Sequence, residues 1–317
     1  SYWLILFTTA CFANLLGLNI SDGLKSVVAI YVIVPFLLVP QILLAGVIVK
    51  FDRLHYKFAS HESVPVPGDL MASRWAYEAL AVNQFVNNKY QKHFYDTEML
   101  ESNVTYDLQF LAPTLIQEIR DAKKLVRENR EHPGLTGKFN TIHDGFSSIY
   151  LTGSYPGITD FQRDEFSSEA GDQAISWLQD YQVKLSAYRD KMTLQKDSFT
   201  DSLKNSKGGT SEYVQFKRNY YNDQLADMVL NRTNLHKIVK KEDQLIRKME
   251  PVYIYPAVHN GRAHFYASVK MLGNINFSTF VFNNMAIWAM TIVLYFLLRY
   301  SILAKTIDFF GELRRKR

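Results

Sequence analysis

The chain has 317 residues, of which 47% are hydrophobic, with a single cysteine and a formal net charge of +5. That length would suit one or two soluble domains, but the apolar residues gather in three runs instead of spreading as one core would spread them. The positive balance includes no dense basic patch interleaved with aromatics, which excludes nucleic acid as a partner. Cys11 falls inside the first apolar run, so no internal disulfide braces the polar middle, and its fold must rest on packing.

In chain order, residues 2–20, 27–49 and 277–304 are apolar, and the second run holds no charge. Crossing a bilayer core takes roughly 20 apolar residues in a helix, so three transmembrane helices are expected. The chain opens Ser1-Tyr2-Trp3, and Leu4 to Cys11 hints at a lipoprotein leader. No basic segment precedes it, however, and the run continues to Ile20, which favours a span over a leader and suggests that further chain lies upstream. Arg299, Lys305 and the closing Arg314-Arg315-Lys316-Arg317 mark residues 305–317 as a basic cytoplasmic tail. The turn at 21–26, with Lys25, is then also cytoplasmic, and residues 50–276 lie outside. Lys50, Arg53 and Lys57 pull the other way, but long loops translocate largely regardless of charge.

Residues 50–94 are expected at the outer membrane face. Pro65, Pro67 and Gly68 break the chain there, Asp69 or Ser73 can cap a helix through Ala76, Leu80 and Phe85, and Trp75, Tyr77 and Tyr90 suit an interface. Residues 95–276 read as a mostly helical extracytoplasmic domain. A helix over 106–130 carries Phe110, Leu111, Leu115, Ile119 and Leu125, bent or restarted at Pro113. Residues 135–166, rich in Gly, Ser and Thr, read as loop. Leu178, Tyr181, Leu185, Tyr188, Met192, Phe199 and Leu203 then repeat at steps of three and four. After Lys207-Gly208-Gly209, a return helix would carry Tyr221, Leu225, Met228, Leu235, Ile238, Leu245 and Met249, giving an antiparallel helical hairpin. A small β-hairpin is expected from 252–258 and 263–269 around Asn260-Gly261, with Pro256 facing an edge.

Motifs that carry chemistry are absent. Gly134-Leu135-Thr136-Gly137-Lys138-Phe139 has the wrong spacing for a phosphate loop and lacks the following Ser or Thr. His55 and His61 stand six apart without further ligands, so no metal is expected, and no Gly-x-Ser-x-Gly occurs. No catalytic residue is assigned. Polar side chains within the spans are more informative: Asn14, Gln41, Asn283 and Asn284 should face other helices or a cavity. Pro35 and Pro40 interrupt the hydrogen-bond ladder of the second span, which lipid tolerates only where neighbours satisfy the freed carbonyls. Three spans cannot supply that alone, so helices from an upstream segment or a second copy are expected.

Leu16-Gly17-Leu18-Asn19-Ile20-Ser21, then a span ending in Pro40-Gln41-Ile42-Leu43-Leu44-Ala45-Gly46-Val47-Ile48-Val49, then the run from Ser73-Arg74-Trp75 through Glu78 to Asn83-Gln84-Phe85, resembles the ABC-2 type permeases of the White (ABCG-like) half-transporters. The resemblance covers the last three helices of their membrane domain and the outer loop between the fifth and sixth. It implies a dimeric permease and a nucleotide-binding domain, fused upstream or separate, that holds ATP and Mg outside this chain. It further implies a cavity lined by Tyr31, Pro35, Phe36 and Val39, and an apolar plug at Val47 and Ile48. Members from eukaryotes have a small, cysteine-stapled outer loop; this one is several times larger and has no cysteine, which points to a bacterial inner membrane. Three sequons begin at Asn103, Asn231 and Asn276; they would be glycosylated only in a secretory pathway. The alternative expectation is a membrane-anchored interaction or sensory protein whose outer helical domain binds an envelope partner.

Overall fold

The computed structural model describes residues 1–24, 26–48, 51, 64–128, 131–151, 153, 155–162, 165–256 and 258–315. His55, His61, Lys25, Lys50, Arg53 and Lys57 lie outside them. The protein is mainly helical and forms two compact units, Ser1–Gln84 with Tyr255–Arg317, and Phe85–Ile254. The helices before the outer domain are α1 (Tyr2–Gly23), α2 (Val27–Leu43), α3 (Val66–Asp69) and α4 (Ala72–Val86). The second unit holds α5 (Tyr95–Tyr106), α6 (Ala112–Glu128), α7 (Gly134–Ser147), α8 (Ser168–Lys207), α9 (Thr210–Tyr220), α10 (Asp223–Val229) and the strands β1 (Ile238–Lys241) and β2 (Gln244–Arg247). The chain closes with β3 (Val269–Leu272), β4 (Ile275–Ser278), α11 (Thr279–Arg299) and α12 (Ile302–Arg315).

In the first unit, α1 and α11 are long and apolar enough to cross a membrane, whereas α2 has 17 residues. At 1.5 Å per residue α2 spans about 25 Å, just short of a ~30 Å hydrocarbon core. It ends at Leu43, six residues before the expected boundary, and the chain then turns at Gly46 (φ +84°), where a Cβ would meet Phe265 Cζ at 2.5 Å. Only glycine suits both that φ and that approach. The final apolar run also ends earlier than its composition suggests: Tyr300 and Ser301 separate α11 from α12, so what reads as a basic tail is a helix. Ile5 and Phe12 of α1 pack with Ile287 of α11 and with Ala72, Trp75, Ala76 and Ala79 of α4. The small alanines let α4 approach closely.

The core of the second unit gathers Leu111 from the turn before α6, Leu115 and Ile119 from α6, Leu178, Tyr181, Leu185 and Met192 from α8, and Leu135, Phe139, Ile142 and Phe146 from α7. α7 occupies the stretch expected to be loop. Its apolar residues do follow a helical period, hidden among small and polar neighbours, and Gly145 is required because a Cβ there would meet Leu115 Cδ2 at 2.5 Å. The restart near Pro113 takes the form of a π-helical turn over Asp107–Leu111. Proline has no N–H for the ladder, and a widened turn preceding it absorbs the missing bond.

α8 runs 40 residues and stops where Gly208 turns left-handed (φ +102°) and Gly209 N–H donates to Lys204 O at 3.0 Å. The hairpin is therefore present but unequal. The expected return helix ends at Tyr220, is followed by the short α10, and then gives way to an antiparallel β1–β2 pair turning at Glu242-Asp243 with both φ positive. β-branched Ile238 and Val239 suit a strand better than the helix expected there, and Leu245 is the buried residue of β2. The second β-hairpin is likewise displaced: β3 pairs with β4 through Gly273, and Asn260 makes only an isolated bridge to Leu272.

Leu185 is buried whereas Leu235 is 91% exposed, so the two should respond oppositely to charge. Leu185→Asp should cost about 3–5 kcal/mol, since it removes core packing and buries a charge. Leu235→Asp should stay within about 0.5 kcal/mol of the parent. Urea melts of residues 85–254 followed by circular dichroism will read both.

Candidate functional site

α4 is the one helix of the first unit that combines an apolar surface with charges facing inward. Arg74 and Glu78 stand one turn apart on it, among Ala72, Trp75, Ala76 and Ala79, and both are buried. Lys270, in the middle of β3, is buried with them. Glu78 collects the donors: Arg74 Nη1 at 3.2 Å, Lys270 Nζ at 3.0 Å, Asn283 Nδ2 at 2.9 Å and the Tyr266 backbone N–H at 3.2 Å. Asn283, in the second turn of α11, also donates to Trp75 O at 2.9 Å.

The cluster continues outward. Asp69 pairs with Arg74 and accepts from Arg262 Nε at 2.8 Å, and Arg262 Nη2 donates to Val64 O at 2.6 Å. Trp75 lies under the Arg74 guanidinium at 3.6 Å, with Lys270 Nζ 5.1 Å from its ring centre, and this aromatic face is a further electrostatic partner for both cations. Three cations thus meet two carboxylates.

The protonation tendencies follow from that surplus. Burial works against ionising Glu78, but Lys270 and Arg74 outweigh it and hold the carboxyl below its ordinary range. Burial lowers Lys270 from its ordinary value, with Glu78 opposing and Arg74 reinforcing the shift. Arg74 is lowered by burial as well and stays charged, as guanidinium does in proteins. Among the described residues Arg74 Nε and Asn283 Oδ1 make no hydrogen bond. The carboxylate has no spare face for a substrate, so the chemistry of the cluster is that of an electrostatic clamp joining α4, β3 and α11.

The residues expected to line a pathway lie at the surface of the chain. Tyr31, Pro35, Phe36 and Val39 all lie exposed on α2, and Val47 and Ile48 lie exposed beyond its end. Of the polar residues in the spans, Asn14 is exposed, whereas Gln41 Oε1 accepts from Ser73 N–H at 3.2 Å. Asn284 Nδ2 donates to Phe280 O at 2.8 Å, and its Oδ1 lies 3.4 Å from Thr8 Oγ1. Asn19, which sequence reasoning passed over, bridges α1 to α11 by donating to Leu294 O at 2.9 Å. The clamp itself was also missed. The available signal was an Arg-x-x-x-Glu pair inside an alanine- and tryptophan-rich helix.

On the second unit, Arg120, Lys123, Lys124 and Arg127 line a cleft of about 360 Å³ with Asp172 and Ile175. Lys123 pairs with Asp172, and Arg127 Nη2 donates to Ser168 Oγ at 3.3 Å, so part of this charge is committed. No group of three or more His, Cys, Asp or Glu side chains is placed to hold a metal among the described residues. The Gly134–Lys138 stretch opens α7, and Lys138 is tied to Glu118 at 2.9 Å and Asp121 at 2.8 Å. These residues do not fit a nucleotide phosphate. Asn103 is buried against Arg247, whose Nη1 donates to its Oδ1 at 2.5 Å, so it presents no glycan acceptor. Compared with known protein families, curated proteins and solved structures, the chain matches none.

Glu78→Gln should destabilise the protein by about 3–5 kcal/mol, because it leaves buried Lys270 without its counter-charge and Arg74 with Asp69 alone. A carboxyl held low in the fold stabilises fully above its ordinary value of 4.5 and loses that stabilisation as pH falls below it. Thermal melts in detergent should therefore drop below that pH in the parent, with this component of the drop lost in Glu78→Gln.

Proposed function

We propose that the chain is the permease part of an ATP-driven ABC transporter, an exporter, working as a dimer with a nucleotide-binding domain that holds ATP and Mg. The observation that carries the reading is α2. It is apolar apart from Gln41, buries none of its residues and contains Pro35 and Pro40. Such a helix in lipid needs neighbours for the carbonyls freed at the prolines, and Ser73, which bonds to Gln41 near the helix end, reaches neither of them. Exposed Asn14 makes the same demand on α1. A second copy and the remaining helices of a permease supply those neighbours, and the resemblance to White-type permeases points to the same assembly.

In that assembly Tyr31, Pro35, Phe36 and Val39 face the cavity, and Val47 and Ile48 of the two copies form the outer apolar seal. The Glu78 clamp ties the helix after the seal to the last span, so that the two move together. The protein sits in a bacterial inner membrane with residues 50–276 outside. Two candidate spans support the membrane assignment itself. A membrane-anchored interaction protein is the second reading. Val183, Leu194 and Leu235 favour it, as exposed apolar side chains on the second unit that an envelope partner could cover.

On a Cys11→Ser background, cysteines at Tyr31 and Phe36 should form oxidant-dependent dimers in native membranes several-fold above a Val293→Cys control. Truncating the seal with Val47→Ala and Ile48→Ala should make reconstituted liposomes leak a trapped small dye several-fold faster than the parent. Cross-linking no better than the control, together with unchanged leakage, would overturn the transporter reading in favour of the interaction protein.

A further inference from the structure

We propose that α12 is an in-plane membrane helix that lies along the anionic lipid–water boundary. The inference rests on the reading of α11 as a span. α11 does not run on into solvent. Its helix closes at Arg299, Ser301 takes a left-handed φ of +47°, and Lys305 N–H donates to Ser301 O at 3.1 Å as the next helix begins. A non-glycine residue pays to adopt that conformation, so the redirection of the chain is built in.

The new helix is two-faced. Positions 302, 306, 309 and 313 read Ile, Thr, Phe and Leu, whereas 304, 308, 311 and 315 read Ala, Asp, Gly and Arg. Ile302, Leu303, Ile307 and Phe309 are 42, 37, 40 and 60% exposed, a dense apolar surface for a 14-residue helix. One contact sets its position: Leu303 sits so close to Gly23, in the last turn of α1, that a Cβ there would meet Leu303 Cγ at 2.7 Å. The start of α12 is thereby held at the level where both α1 and α11 end.

A helix held at that level meets the boundary between acyl chains and headgroups, where an amphipathic helix buries its apolar face by about 5–10 Å. Arg299 and Lys305 flank the bend, and the chain continues through Arg314 and Arg315, which suits phospholipids carrying negative charge. The occupant of the exposed face is therefore the bilayer surface that α11 has just left.

Single spin labels on the Cys11→Ser background, in nanodiscs containing phosphatidylglycerol, test this directly. Labels at Ile302→Cys and Phe309→Cys lie about 10 Å apart along the helix. Both should collide more with oxygen than with an aqueous nickel chelate, and to a similar extent, while Asp308→Cys should show the reverse preference. Val293→Cys, mid-way along α11, reports on the span itself. If Val293 is buried in lipid but oxygen access falls steadily from 302 to 309, the helix projects into water and the proposal is wrong. It is equally wrong if 302, 308 and 309 all behave as aqueous sites. A water-exposed Val293 would sink the membrane reading, and the inference with it.

Discussion

A buried carboxylate must find donors or stay protonated, and Glu78 settles that requirement for the whole first unit. Its two oxygens receive donors from a side chain of its own helix, from β3, from the backbone before β3 and from the second turn of α11. Removing any one donor leaves charge stranded in a medium that solvates it poorly. The residual positive charge is passed to Asp69 and Arg262 at the edge, where water can share it. α4 and α11 thus meet through apolar packing of Trp75, Ala79 and Ile287 and, one layer away, through a polar bond network with fixed geometry. Packing supplies the driving force. The network supplies the register.

The second unit reaches order by another route. Its centre is apolar and aromatic, with Phe139, Phe146, Phe161, Phe166 and Tyr181 filling the space between α6, α7 and α8. One polar group enters where a helix is irregular. Asp107 opens the π-helical turn and accepts from Tyr181 Oη at 2.7 Å and from Tyr150 N–H at 2.9 Å. Burial pushes its carboxyl above the ordinary range, against the pull of those two bonds and of Arg247. Arg247, half-buried, lies over the Tyr106 ring at 4.7 Å and carries β2 onto α5. A kink demanded by Pro113 has become the place where helix, strand and loop are tied.

α2 stands in contrast to both. α1, α8 and α11 each bury a face, and the apolar stripe or polar anchor of each says against what. α2 is apolar all round and carries prolines where a solitary helix would lose hydrogen bonds. Its hydrophobicity suits a bilayer, and its broken ladder calls for company within it. That combination leaves Tyr31, Pro35, Phe36 and Val39 exposed along it, and is why assembly is part of the proposed reading.

The sequence by itself determined where apolar length collects, because α1 and α11 need only composition and an uninterrupted run to exist. It also determined the core face of α8 and the Gly208-Gly209 stop, since a three-four spacing and a left-handed cap are local properties of the chain. Only the tertiary structure decided the rest. α7 is a helix because Leu135, Phe139, Ile142 and Phe146 find a core to bury them, which a glycine-rich string does not announce. Residues 238–247 are strands because the chain turns at Glu242-Asp243 and packs Leu245 on α7, although their spacing also suits a helix. Arg74 and Glu78 look like an exposed i, i+4 pair until Lys270 and Asn283 arrive from some 190 and more residues away. Charges of that kind are read as surface in a sequence, since what buries and neutralises them comes from distant chain.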